Sequence, residues 1–268
     1  MAVDAVMNYF VHDGRRPILY TYKPPAGTTP VIPVYVKHPV RIDDARRKST
    51  PVTLDTEGCA LVVHDTEVVD FLDSEEVERV YYPEVEALVA QSTGAIRVVV
   101  FDHNQRSGDR AKQAALSIQG PIKSAHNDYT HDSAPKRVRE LLDTEDAEAM
   151  LEHRFAVINV WRPIEGPIQR SPLAVCDARS IPDGDLIETE LRYPDRTGVV
   201  SLLKHHPGNR WFYFPEMQKR EVMLIKCYDS ETDGRARFTA HSAFDDPTSP
   251  PNAAPRESIE VRTLAFFS

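Results

Sequence analysis

Hydrophobic and polar positions change rhythm along this chain. Residues 23–33, KPPAGTTPVIP, carry no periodicity and read as an extended Pro-rich loop. LDSEEVERVYYPEVEALVAQSTG then sets Val77, Val80, Tyr81, Val85, Leu88 and Val89 at helical spacing, with Asp73 as a cap, Glu76 three residues later and Gly94 at the end. Pro83 inside that pattern predicts a break or a restart, because it lacks the amide hydrogen that an interior turn needs. IRVVVFDH follows as a strand. SAPKRVRELLDTEDAEAMLEHR predicts a second helical stretch, capped at Ser133 and Thr144, with Val138, Leu141, Leu142, Met150 and Leu151 apolar. Beyond residue 154 the pattern shortens to FAVINVW, LAVCDA, LIETELRY, WFYF, VMLIKCYD, RARFTAH and SIEVRTLAFF, separated by Pro, Gly and Asp turns. Closely spaced strands of this kind predict a mainly β protein with flanking helices, a sandwich or small barrel with jelly-roll closure. No internal repeat is visible. One domain spanning 1–268 is expected, with 1–120 as a mixed α+β elaboration packed on a β core at 121–268.

Composition narrows the function classes. With 41% hydrophobic and 27% charged residues the chain is globular in type. A net charge of −9 and a pI near 5.6 argue against a nucleic-acid backbone as partner. The longest basic run, Arg46-Arg47-Lys48, reads as a solvated turn. MAVDAVMNYF has neither the charged start nor the apolar stretch of a signal peptide, and IRVVVF is far too short to span a bilayer, so no membrane is expected as partner. Cys59, Cys176 and Cys227 are scattered and form no C-x-x-C pair, so neither a zinc knuckle nor a disulfide framework is indicated. A reducing cytoplasm fits this usage and would keep an iron site ferrous. No two glycines lie within two residues of each other, which removes the nucleotide turns of nicotinamide enzymes and methyltransferases. Neither G-x-S-x-G nor H-E-x-x-H occurs.

Candidate chemistry begins at residues 124–131, SAHNDYTH. His126 and Asp128, two apart, share one face of an extended strand, and imidazole with carboxylate makes two-thirds of a common iron site. With 10 His and 22 Asp in 268 residues, about one such pair arises by chance, so the rest of the chain must complete the site. Downstream ligands are His131, His153, His205, His206 and His241. Of these, His241 ends RARFTAH where a strand meets a turn, which suits a barrel mouth, whereas His205 and His206 sit in a Pro-Gly loop expected to face solvent. In PRESIEVRTLAFF, positions 256, 258, 260 and 262 share a face, so Arg256 with Ser258, or Arg262, could grip the distal carboxylate of 2-oxoglutarate. Ordinary polar residues at 126 and 241, and surface pairs such as Arg262–Glu260, are the competing readings.

Taken together, VYYPEVEALV, GAIRVVVFDH, AHNDYT, INVWRPI, PLAVCDARS, WFYFPEMQKREVMLIKCYDS, AHSAFDDP and PRESIEVRTLAFF resemble the hydroxylase/desaturase family of AsaB-like, gibberellin desaturase-like and CmcJ-like proteins. The resemblance runs from about Tyr20 to Phe267. It implies a double-stranded β-helix (jelly roll, cupin-like) core and an iron(II)/2-oxoglutarate-dependent oxygenase that hydroxylates or desaturates a small molecule in specialised metabolism. Dioxygen would be the second cosubstrate. Under it, His126, Asp128 and His241 match the iron triad and Arg256 with Ser258 the cosubstrate clamp; Arg262 also fits the final strand. Tyr213 is expected beside the cosubstrate, and Asn159, Trp161, Arg162 and Tyr129 along the substrate pocket. The alternatives are a cupin-like metal-dependent isomerase or hydrolase without a keto acid, and a non-catalytic β-barrel binding protein. Whether the chain forms a homo-oligomer stays open.

Overall fold

A computed structural model describes residues 1–268, which fold into two facing β-sheets. The first holds β1 (Val3–Phe10), β2 (Ile18–Tyr20), β3 (Tyr35–Asp44), β6 (His126–Asn127) and β8 (Leu173–Cys176). It also holds β9 (Leu186–Arg192), β10 (Thr197–Leu203), β11 (Trp211–Tyr213) and β13 (His241–Ala243), in the order β1-β3-β11-β8-β13-β6-β10-β9-β2. The second runs β4-β12-β7-β14-β5, built from β4 (Cys59–Val63), β5 (Arg97–Ser107), β7 (Phe155–Pro163), β12 (Glu221–Asp229) and β14 (Glu257–Phe266). From β5 to β8 and again from β11 to β14 successive strands alternate between the sheets, the winding of a double-stranded β-helix. Residues 1–120, expected as an elaboration on the core, contribute β1, β2 and β3 to one sheet and β4 and β5 to the other.

Three apolar layers hold this arrangement. The space between the sheets is filled from both sides, by Val157, Trp161, Ile225 and Leu264 against Val175 and Phe212. On the outer face of the five-stranded sheet, Ile158, Val160, Leu224 and Val261 pack under helix α2 (Tyr82–Thr93) through Val85, Leu88 and Val89. The third layer joins Met7 and Tyr9 of β1 to Trp211 and Tyr213. Covering both faces is why β7 is buried at every position and shows no polar alternation.

The first helical stretch keeps its expected ends at Asp73 and Gly94, whereas the second is capped elsewhere. Around Pro83 the chain keeps turning: a first turn α1 (Ser74–Glu76), capped by the Asp73 carboxylate, leads into a wider turn at Val77–Tyr81 and on into α2. The wider turn rearranges the hydrogen bond that proline cannot donate, and Pro83 takes the first turn of α2, where its amide is not needed. Gly94 ends α2 with φ of 75°, the left-handed conformation glycine adopts freely. Helix α3 (Arg110–Leu116) was not foreseen. The second helical stretch divides into α4 (Ser133–Leu141) and α5 (Thr144–Leu151), whose cap positions are Asp132 and Asp143. Ser133 does not cap α4 directly; it exchanges reciprocal bonds with Thr130, Oγ accepting from the Thr130 amide. Two further corrections concern strands. β10 was missed, and RARFTAH is irregular up to residue 240, so His241 begins a strand and does not end one.

One irregularity shapes the interior. Opposite β14, the β5 register skips Phe101 between Asp102 and Val100, a bulge that reverses which side chains face inward. Asp102 therefore meets Arg262, and Asn104 and Arg106 line the interior pocket, while Val99 and Phe101 beyond the bulge pack on the inner apolar layer. One strand thus serves both a polar pocket and a dry core.

Candidate active site

His126 and His241 meet by strand register. β13 lies between β8 and β6, with His241 opposite His126, and directly opposed residues on antiparallel strands carry their side chains close together on one face. The two rings are 4.5 Å apart, centre to centre. Asp128 follows in the bend after β6, with Oδ1 3.5 Å from His126 Nε2. Ligand atoms of the three residues lie within 4.8 Å of one another. Asn127, between them, is fully buried; its amide donates to the Cys227 and Tyr129 carbonyls and accepts from the Thr239 amide, two residues before His241. It ties the triad's two segments to each other and to β12.

The protonation states suit a metal. Burial, and then His241 beside it, pushes His126 down to about 4, and burial also lowers His241. Each Nδ1 lies near a carbonyl two residues back, Ser124 at 2.8 Å and Thr239 at 3.3 Å. Donating from Nδ1 leaves Nε2 with its lone pair, the state a ligand requires. Burial alone would raise Asp128, but Arg262 and the two imidazoles hold it well below the usual carboxylate range. Two neutral imidazoles and one carboxylate form the facial donor set used by non-haem ferrous iron.

Beyond the triad the pocket is mostly polar, lined by Asn104, Arg106, Arg256, Ser258, Glu260 and Arg262 besides the ligands, with Ile122, Trp161 and Leu173 as apolar walls. The two arginines at issue have opposite surroundings. Arg262 donates to Asp128 Oδ2 at 3.1 Å, to Asp102 at 3.1 Å and to Glu260 at 3.2 Å, so its charge is already matched. Arg256, 3% exposed, has no carboxylate partner; Nη1 donates to the Ser171 carbonyl and the guanidinium lies over Trp161 at 5.4 Å. Its Nε and the Ser258 hydroxyl are buried without any partner. Buried polar groups are nearly always satisfied, so this adjacent pair marks a place for a ligand anion.

The remaining expected pocket residues separate by alternation. Trp161 lines the pocket. Asn159, two residues earlier on the same face, donates to Asp128 Oδ2 at 2.8 Å and so joins Arg262 in fixing that oxygen. Arg162 points the other way, under Phe71 and Tyr81, bonded to the Lys219 carbonyl, and does not reach the pocket. Tyr213 likewise lies in the outer layer, edge-on to Phe244 at 5.2 Å, while its neighbour Phe212 faces inward. Tyr129 turns toward Phe101 and is not among the lining residues. His205 is exposed and stacks on His38.

A family model described as "Oxidoreductase/YMDC permease-like domain" matches residues 7–266. The hydroxylase/desaturase efuI of Hormonema carpetanum is 36% identical over 255 residues, covering 87% of this chain and 85% of that protein. The Fe(II)/2-oxoglutarate-dependent dioxygenase nvfI of Aspergillus novofumigatus is 34% identical over 260 residues, covering 94% and 91%. The solved iron and alpha-ketoglutarate-dependent endoperoxidase NvfI superposes with a TM-score of 0.88 at 30% identity, covering 100% of this chain and 98% of that one. The chain belongs to the hydroxylase/desaturase family. No helix is long and apolar enough to cross a membrane, whatever the word permease in the family's description suggests.

For this hydroxylase/desaturase family member, the sequence reading missed Asn104, Arg106 and Glu260. Glu260 shared the noted face of the final strand and could have been found there. Asn104 and Arg106 follow the β5 bulge, which no period-two pattern reveals.

Proposed function

We propose that this protein is a non-haem iron(II)/2-oxoglutarate-dependent oxygenase that hydroxylates or desaturates a small molecule of specialised metabolism. The observation that carries the reading is the buried, unpaired Arg256 with the unpartnered Ser258 hydroxyl, in the same pocket as the His126, Asp128 and His241 donor set. A metal centre alone explains the triad; the free guanidinium calls for an anion as well. Ferrous iron with 2-oxoglutarate supplies the oxidising power to convert a substrate C–H bond to an alcohol or an alkene, using dioxygen and releasing succinate and carbon dioxide.

Each residue then has a task. His126, His241 and Asp128 would hold the metal, the two imidazoles through Nε2 and Asp128 through its carboxylate. Arg262 and Asn159 fix the other Asp128 oxygen, which keeps the carboxylate from turning away. Arg256 and Ser258 receive the distal carboxylate, a charge-assisted contact that strengthens away from water. Trp161, Ile122 and Leu173 exclude water around the reacting groups. The cupin-like alternative, a Lewis-acid isomerase or hydrolase, leaves Arg256 without an occupant. The test is succinate release from 2-oxoglutarate in the presence of ferrous iron, dioxygen and a panel of small-molecule secondary metabolites, with product masses distinguishing addition of oxygen from loss of two hydrogens. Succinate formation that no metabolite stimulates and that Asp128→Ala does not abolish would refute the reading.

A further inference from the structure

Arg106 is the third arginine that lines the pocket, beside Arg256 and Arg262. It lies on β5 opposite Ser258 of β14, and directly opposed residues of an antiparallel pair place their Cβ atoms about 5 Å apart on one face. Arg256, two residues before Ser258, shares that face, and Arg106, Arg256 and Ser258 all line the one pocket. Like Arg256, Arg106 has no carboxylate partner. Its side-chain bonds run from Nη1 alone, to Gln119 Oε1 at 3.3 Å and the Gly120 carbonyl at 3.1 Å, which leaves Nε and Nη2 uncommitted.

The distribution of charge sharpens the contrast. Three arginines face the pocket, yet Asp128, Asp102 and Glu260 are all gathered on Arg262. Positive charge without a partner is therefore concentrated on Arg106 and Arg256. Burial, and then Arg106 itself, pushes Arg256 down to about 9, so the two guanidiniums lie close enough to repel each other. An anion received by both would relieve that repulsion and the cost of burying an unpaired charge.

We propose that Arg106 is a second arginine of the cosubstrate receptor, so that the distal carboxylate of 2-oxoglutarate is shared by Arg106, Arg256 and Ser258. The inference rests on the oxygenase reading and adds a residue from another strand to it. The β5 bulge, which lets Phe101 and Asp102 both face inward, sets the parity that turns Arg106 to the pocket.

The test is anaerobic calorimetric titration of manganese-loaded protein with 2-oxoglutarate and with 2-oxobutyrate, which has the same keto-acid end but no distal carboxylate. Wild type, Arg106→Gln, Arg256→Gln and the double variant are compared. Arg106→Gln should weaken 2-oxoglutarate about 10- to 100-fold, the range for losing a hydrogen bond to a charged group. It should change 2-oxobutyrate by less than about twofold, and Arg106→Lys should recover part of the loss. The double variant should lose less than the product of the single losses, because both guanidiniums act on one anion. Wild-type binding of 2-oxoglutarate with an Arg106→Gln affinity within about twofold of it would overturn the proposal while leaving the oxygenase reading intact. Equal losses for both keto acids would overturn it too, as general damage. A wild type that binds no 2-oxoglutarate would overturn both.

Discussion

Arg262→Gln separates a structural counter-ion from a ligand receptor. Arg262 holds three carboxylates, and their surroundings set the size of the effect. Asp102 is about one-third exposed, so water screens it and its pair adds little. Asp128 and Glu260 have side chains only 9% and 11% exposed, and breaking a buried pair by removing one partner costs about 3–5 kcal/mol. Burial and the nearby Asp128 already raise Glu260, which can take up a proton and recover part of this. The expected loss for the metal-free protein at neutral pH is therefore about 3 kcal/mol, the lower end of that range. A divalent ion beside Asp128 replaces the missing positive charge, so saturating manganese should recover about half of the loss or more. Urea unfolding of wild type and variant, with and without manganese, reads both quantities. Arg256→Met is the contrasting change: it removes a buried charge with no counter-ion and should leave metal-free stability unchanged or about 1 kcal/mol higher. If metal-free Arg262→Gln matched wild type while Arg256→Met lost several kcal/mol, the roles of the two arginines would be reversed.

Other expectations follow from the same geometry. Alanine at His126, Asp128 or His241 should each remove most ferrous-iron binding with the far-UV circular dichroism spectrum retained; wild-type iron affinity in any of the three would exclude that residue as a ligand. Arg256→Ala should weaken 2-oxoglutarate by about 2–4 kcal/mol, the range for losing one partner of a desolvated charge pair, and equilibrium titration of folded, metal-loaded protein measures it. His126, down to about 4, and His241 are held below the ordinary value of 6.5 they regain on unfolding. The stability of the metal-free protein from these rings is therefore complete above about pH 6.5 and lost as pH falls below it, for His126 down to about 4, by up to about 1.4 kcal/mol per pH unit for each ring. Unfolding series at pH 7 and pH 5 should show a shallower loss for His126→Gln than for wild type, and identical slopes would contradict the assignment.

What could be read from the sequence was whatever depends on local pattern. His126 and Asp128 are two apart, and the final strand is long and apolar enough to make Arg256 and Ser258 legible as one face. His241 was chosen as the end of an expected strand, RARFTAH; that run is irregular, and His241 instead opens β13 opposite His126. Failures came where tertiary context chooses a face. Arg162 and Tyr213 sit one residue from inward-facing Trp161 and Phe212, and in a strand buried on both sides the sequence does not mark which parity faces the pocket. Arg106 escaped for a related reason, since a one-residue bulge decides its direction. At Pro83 the expected restart is seen: after a wider turn the proline takes the first turn of α2.

The central claim is that the triad and Arg256 together form a receptor for ferrous iron and 2-oxoglutarate. Anaerobic titration of the wild-type protein with ferrous iron, with and without 2-oxoglutarate, tests it most directly. The expected result is one iron per chain, with cosubstrate that binds tightly only once the metal is present and that Arg256→Ala releases. Iron bound with no measurable affinity for 2-oxoglutarate would contradict the claim and leave a metal site of the Lewis-acid kind.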